Sequence, residues 1–266
     1  SLSEQDLHRR VEVAAPPDEL GELVDTFNGM LARLEASFAS LRRFTADASH
    51  ELRAPLALMR SELDVALTRP RNAEAYRHVL GVLRGEVERL TRLADQLLLL
   101  ARADAAALHP RMEGVDVADF LHETAARWST VAARRSVELD VTAPDAGAMQ
   151  ADPDLIRRVL DNLIDNALRY APASSRVRLS AERTDGGWRF EVADQGPGVP
   201  AEYRPQLFAR FARADSARTR DGSGAGLGLA LSASIARAHG GQITLVPRPG
   251  YGAVFQLSLP GSSPAQ

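Results

Sequence analysis

The 266-residue chain contains no cysteine. Disulfides, thiolate metal sites and cysteine nucleophiles are therefore excluded, and the absence agrees with a reducing compartment. Lysine is absent too: all 32 basic residues are arginine. We read this as genomic base composition rather than chemistry, although a guanidinium pairs well with phosphate. Neither sign of charge prevails, since 35 acidic residues leave a net charge of -3. With no large basic block, a nucleic-acid partner is not expected. Aromatic residues make up only 5%, whereas alanine and leucine abound, a composition that favours helices. The longest leucine-rich stretch, Leu97 to Leu100, is far short of the roughly 18 apolar residues that a membrane span requires. No span is expected in these residues, and the fragment should be soluble. The six histidines include no pair with metal-ligand spacing among acidic partners, so a histidine-based metal site is not expected.

What is present organises the chain into two or three units, as its length allows. From Glu19 to Leu41 the apolar positions Leu20, Leu23, Phe27, Met30, Leu34, Phe38 and Leu41 advance by three or four, the spacing of a coiled-coil seam. Ahead of them, Val11, Val13 and the Pro16-Pro17 pair read as an extended connector, with the helix starting after Asp18. The apolar spacing continues through Phe44, Ala48, Leu52, Leu56, Met59, Leu63 and Leu67, and "TRPRN" then breaks it. A second run follows at once through Tyr76, Leu80, Leu83, Val87, Leu90, Leu93, Leu97 and Leu100. Two long helices joined by so short a loop must fold back as an antiparallel hairpin. A hairpin leaves one apolar face uncovered, and self-association into a four-helix bundle is the simplest cover.

After "HPRMEG" the texture changes, because short β-prone runs alternate with helical ones. We place a domain boundary near Gly114. Expected strands are Val137 to Val141, Val177 to Glu182, Trp188 to Asp194, Gln242 to Val246 and Ala253 to Leu259. Expected helices are Val117 to Ala133, Asp152 to Tyr170 and Leu227 to His239. The tail "GSSPAQ" has the composition of a disordered end.

Three stretches carry candidate chemistry. "DPDLIRRVLDNLIDNALRYAP" sets Asn162, Asn166, Arg169 and Tyr170 on adjacent turns of one helix face. Amides there could hold a water-rich Mg²⁺ and the arginine could pair with phosphate; a plain amphipathic helix with its polar face in water gives the same spacing. "VADQGPGVP" ends an apolar strand in Asp194, with Gly196 and Gly198 following. A carboxylate there can accept from an exocyclic amine, and glycines admit a flat base; in isolation an ordinary glycine-rich turn accounts for them as well. "RDGSGAGLGLAL" places Gly222, Gly224, Gly226 and Gly228 directly before a helical run, an arrangement able to cradle phosphate. It lacks a P-loop ending and comes too late for a dinucleotide fold, so both of those readings fail.

"SHELRAPL", "NLIDNALRY", "DQGPG", "LFARFARAD" and "GSGAGLGLAL" occur in this order, which resembles the sensor histidine kinase family from its H box through its N, G1, F and G2 boxes. "DELGELVDTFNGMLARLE" is similar to the second half of a HAMP linker. The resemblance implies a multidomain α and α/β protein. Residues 1 to 40 would form a partial HAMP-like linker and signalling helix, and 41 to 110 a dimerisation and phosphotransfer hairpin pairing into a four-helix bundle. Residues 114 to 260 would form a Bergerat-type (GHKL) α/β sandwich that binds ATP, and 261 to 266 a tail.

The resemblance also implies residue roles. His50 would be the phospho-accepting nucleophile, with Glu51 taking the imidazole proton or fixing its tautomer. Arg53 lies close by, and Pro55 is expected to bend or loosen the helix one turn later. Asp194 would recognise the adenine amine beside Gly196 and Gly198, and Asn166 would hold Mg²⁺ with Asn162 near it. Arg169, where the family more often has lysine, and Tyr170 would line the phosphate side. Gly224, Gly226, Leu227 and Gly228 would frame a lid running from about Tyr203 to Gly224 and carrying Phe208, Arg210, Phe211 and Arg213. ATP-hydrolysing relatives carry glutamate at the position of Asn162, and an amide is no general base. Ala54 stands where phosphatase-competent members show threonine or asparagine. Implied partners are a second copy of the chain and a response-regulator receiver domain. Transmembrane helices and a sensor are expected before Ser1, placing the module at the cytoplasmic face of the membrane.

Overall fold

The computed structural model describes residues 19–105, 107–143, 147–212 and 225–261. The expected connector before Asp18 and the end of the tail lie outside them. The chain divides into two compact units, Ser1–Leu90 and Thr91–Gln266.

The first unit is helical. Helix α1 runs from Glu19 to Leu67 without interruption. It passes through Pro55, whose missing N–H leaves the carbonyl of Glu51 without its usual donor four residues on. At the far end Thr68 closes the helix by bonding the Asp64 carbonyl through both its amide and its hydroxyl. Helix α2, Ala73–Asp104, whose residues from Thr91 onward belong to the second unit, starts where the Asn72 side chain accepts from the Ala75 amide at 2.8 Å, an ordinary N-cap. Along this unit Leu23, Phe27, Met30, Leu34, Leu56, Leu63 and Leu80 remain exposed at seam positions. Among the described residues no helix is long and apolar enough to cross a membrane.

The second unit is a helix-on-sheet layer. A five-stranded sheet has the order β2-β4-β5-β7-β6, with β2 at Glu138–Thr142, β4 at Arg176–Thr184, β5 at Gly187–Ala193, β6 at Gln242–Leu245 and β7 at Val254–Pro260. Only β2 and β4 pair in parallel. The β4–β5 hairpin closes through Asp185-Gly186, with Thr184 opposite Gly187, as a two-residue turn requires. One face alternates Val177, Leu179 and Ala181 with Trp188, Phe190 and Val192, all buried. The other face carries ion pairs: Arg178 with Asp140 at 3.1 Å, and Arg248 on both oxygens of Glu191 at 2.8 and 2.9 Å. The period of two thus separates core from solvent.

Three helices cover the apolar face: α3 at Val117–Arg134, α4 at Pro153–Tyr170 and α5 at Gly228–Ala238. The N-caps of α3 and α4 are side chains of Asp116 and Asp152, and Pro153 opens α4. The expected helices and the five strands of this sheet are therefore present, with ends shifted by one or two residues. A second, two-stranded sheet is an addition: β1, Glu113–Asp116, pairs antiparallel with β3, Ala148–Ala151. It places Gly114 inside a strand.

His239 joins the end of α5 to the start of α4. Its ring is buried, with Nδ1 2.9 Å from the Ile235 carbonyl and Nε2 accepting from the Asp152 amide at 3.1 Å. This arrangement requires the neutral tautomer protonated on Nδ1. His239→Ala strands the Asp152 N–H and should destabilise this unit by about 1–3 kcal/mol. The check is urea unfolding followed by tryptophan fluorescence, because Trp128 and Trp188 both lie here; an unchanged midpoint would show the bond to be idle.

Candidate functional site

Each unit holds part of the chemistry. In the first, His50 lies exposed on α1, where a neighbouring reactant can reach either ring nitrogen. Glu51 is only 25% exposed and points to α2, its Oε2 3.8 Å from Arg89 Nη2. Arg89 also meets Glu86 at 3.4 Å, so a single guanidinium is shared between two carboxylates. Ala54 is exposed and Pro55 buried, one turn after the histidine. Helical geometry thus sends His50 outward and its neighbour Glu51 sideways to the facing helix.

In the second unit α4 forms one wall. It buries eight residues in the core between the sheet and the neighbouring helices α3 and α5: Leu155, Ile156, Val159, Leu160, Leu163, Ile164, Ala167 and Leu168. At about 1.5–3 kcal/mol for each large side chain, this stripe fixes the helix's rotation about its axis. Asn162, Asn166, Arg169 and Tyr170 occupy the remaining stripe, half-buried or exposed. Asn166 makes no side-chain hydrogen bond to a described residue. Arg169 pairs with Asp165 at 2.5 Å, so a phosphate drawn to it competes with a carboxylate already in place. Asn162 points away from open space: its Nδ2 donates to Ser232 Oγ at 3.0 Å, and its Oδ1 lies 1.9 Å from where a Cβ on Gly228 would sit.

At the other end of this wall stands Asp194, only 4% exposed. Its Oδ1 accepts from the amides of Gly196 at 2.7 Å and Ala253 at 3.2 Å. Its Oδ2 accepts from no described residue. Burial raises its pKa above the ordinary carboxylate value, and the two amide bonds oppose that shift without cancelling it. The loop after Asp194 is held by close backbone approach. A Cβ on Gly196 would come within 2.7 Å of the Tyr170 carbonyl, and one on Gly252 within 2.2 Å of the Gly196 carbonyl. Gly198, at φ +77°, would meet Gly252 in the same way. Between Asn162, beside Gly228, and Tyr170, beside Gly196, α4 rises eight residues, or about 12 Å. Asn166 lies midway.

The segment between these loops is partly described. Leu207 is buried, and Phe208 packs edge-on against Phe255 with centroids 6.5 Å apart, which makes Phe208 an anchor. Arg210 forms an ion pair with Asp104 near the end of α2. Phe211 adopts φ +58° beside Gly226 at φ +68°, where a Cβ would lie 2.8 Å from the Ala212 carbonyl. The chain is thus held together at these two points. Arg213, Gly222 and Gly224 lie outside the described residues. Leu227 as a whole is only 1% exposed, so it offers almost no surface to a ligand and serves to anchor the start of α5. Sequence reasoning missed Gly252 and Ala253, which hold Asp194, and also Ser232, Asp165 and Asp104. A glycine before a strand, as at Gly252, and the i,i+4 spacing of Asp165 and Arg169 were the available signals.

Three family models match in chain order: the HAMP domain over residues 1–36, the His Kinase A (phospho-acceptor) domain over 40–106, and the histidine kinase-, DNA gyrase B- and HSP90-like ATPase over 151–263. The sensor protein CutS of Streptomyces coelicolor is 38% identical over 98% of this chain and 62% of its own length. The sensor histidine kinase CusS of Escherichia coli K12 is 33% identical over 98% of the chain and 54% of its own length. The chain therefore spans between one half and two thirds of these relatives. Among solved structures, full-length ShkA in complex with AMPPNP superposes with a TM-score of 0.63 at 27% identity, covering 86% of this chain and 46% of that one. The Acinetobacter baumannii histidine kinase AdeS shares the fold, with a TM-score of 0.66 at 23% identity over 80% of this chain and 98% of its own. An exposed histidine on a helical hairpin, a buried aspartate at the edge of an α/β sandwich, and these matches along nearly the whole length establish that the chain belongs to the sensor histidine kinases of two-component signalling.

Proposed function

We propose that this chain transfers the γ-phosphoryl group of ATP to His50 and then passes it to an aspartate of a response-regulator receiver domain. The observation that carries this reading is Asp194: a buried carboxylate with one oxygen fixed by two amides and the other left for a donor such as the adenine amine. Gly196 and Gly198 let the backbone of Tyr170 and Gly252 close on the loop that carries Asp194, which holds the carboxylate in place for a base. Asn166, with its amide uncommitted, is the residue we assign to Mg²⁺, which when bound neutralises charge on the phosphate oxygens. Asn162 is assigned to holding the Gly228 turn. Arg169 serves the phosphates once released from Asp165.

Glu51 accepts the proton from one ring nitrogen of His50 while the other ring nitrogen attacks the γ-phosphorus. A nitrogen–phosphorus bond forms, the bond to the β,γ-bridging oxygen breaks, and ADP leaves with that electron pair. Asn162 cannot activate water, so hydrolysis by the ATP-binding unit alone should be slow. The methyl group of Ala54 likewise cannot orient a water for dephosphorylating the regulator. The exposed seam residues of α1 and α2 support pairing with a second copy of the chain. The HAMP match supports an upstream transmembrane sensor, with this module at the cytoplasmic face of the membrane.

Incubation with γ-labelled ATP should yield acid-labile, alkali-stable label in the wild type and none in His50→Gln; label that survives the substitution refutes this assignment. Asp194→Asn keeps an oxygen for Gly196 and Ala253 but turns an amide NH2, a donor, toward the adenine amine, which also donates. ATP affinity should fall by about 10- to 100-fold, the equivalent of a charged hydrogen bond. The same variant tests the buried carboxyl. Its raised pKa means that the native state binds the proton more tightly than the unfolded chain. Wild-type stability therefore declines as pH rises from the ordinary carboxylate range through the higher native value. Denaturant midpoints without nucleotide should accordingly shift in favour of Asp194→Asn between acidic and neutral pH, and a constant difference would contradict the linkage. Adding this chain to a phosphorylated partner regulator without ATP should barely accelerate phosphate loss, whereas Ala54→Thr should accelerate it. Rapid loss with the wild type would overturn the role given to Ala54.

A further inference from the structure

We infer that Ser232 is a positioning residue of the nucleotide site: through Asn162 it sets the start of α5 against α4. The inference rests on the nucleotide-binding reading above and adds to it a residue that carries no charge and has no access to ligand. Ser232 is 1% exposed, on the turn of α5 after Gly228 and on the same face. A hydroxyl buried to that degree needs a partner, and it has the amide nitrogen of Asn162 at 3.0 Å. That bond turns the Asn162 oxygen into the space above Gly228, 1.9 Å from where a Cβ would stand. Gly228 is therefore required for room rather than for its backbone angles. The three residues interlock: a glycine leaves the gap, an amide fills it and a hydroxyl orients the amide.

The consequence falls on one end of the site. Helix α5 begins at Gly228 with no side-chain cap on its first amides, so those amides remain available to phosphate. Asn166 stands one turn beyond Asn162 on α4. The Ser232–Asn162 bond therefore fixes the spacing between the residue assigned to the metal and the amides assigned to phosphate. The adenine end is built separately, by Asp194, Gly196 and Ala253. Loss of the hydroxyl should weaken the grip on phosphates and leave the grip on adenine intact.

The test is calorimetric titration of the whole chain with AMPPNP, ADP and adenosine. In Ser232→Ala the Kd for AMPPNP and ADP should rise about tenfold, as for one lost hydrogen bond, with adenosine within about twofold of wild type. Ser232→Thr, which keeps the hydroxyl, should restore most of the AMPPNP affinity, a recovery that mere core packing does not predict. Should Ser232→Ala fail to fold, Ser232→Cys, with a weaker acceptor of similar size, is read by the same criteria. Unchanged AMPPNP affinity in the folded variant, or an equal loss for AMPPNP and adenosine, overturns the inference while the nucleotide site stands. A wild-type chain that binds none of the three ligands overturns the nucleotide reading itself.

Discussion

Burial of one stripe of α4 against the sheet and the helices beside it is the constraint from which the candidate nucleotide site follows. Leu160, Leu163, Ile164 and Leu168 are at most 1% exposed, and displacing such a helix would open cavities costing about 2–5 kcal/mol for each large side chain. The helix cannot rotate without that loss. Its polar stripe is therefore held in one orientation, with Asn162 against α5, Asn166 in the middle and Tyr170 beside the Asp194 loop. The precision that the proposed phosphoryl transfer requires comes from the hydrophobic core, because positioning dominates that chemistry.

Asp194 shows the opposite use of burial. Desolvating a carboxylate opposes folding, as its raised pKa records. Two backbone amides offset part of that cost by occupying a single oxygen. Close approaches among Gly196, Gly198 and Gly252 bring those amides into range, and a Cβ at any of these positions would meet backbone within 2.7 Å. A polar group left half-satisfied in a well-ordered loop is more naturally understood as serving recognition than as serving stability.

The hairpin was the most legible part of the chain. Apolar spacing marks both helices, Asn72 caps the second, and "TRPRN" separates them, all local features that act within a few residues. Pro55 removes one hydrogen bond from the first helix without ending it. The helix runs through it because one missing hydrogen bond is outweighed by the packing and continuity of a 49-residue helix. In the second unit, capped helices and alternating strands were readable for the same local reasons. Strands β1 and β3 were not, since "EGVD" and "AMQA" carry little β-propensity and find each other only after α3 and β2 have turned the chain back.

For the candidate site, sequence alone determined which residue types are available and roughly where. It supplied a histidine followed by a carboxylate on a helix, amides at helical spacing, an aspartate at a strand end and glycines before a helix. These follow from periodicity and local chain geometry. Tertiary structure alone decided what each group faces. It turned Asn162 to Ser232 and Gly228, paired Arg210 with Asp104, and brought Gly252 and Ala253 to Asp194, the last across 59 positions of chain. Orientation of a side chain depends on contacts between distant segments, and spacing along one segment does not encode them.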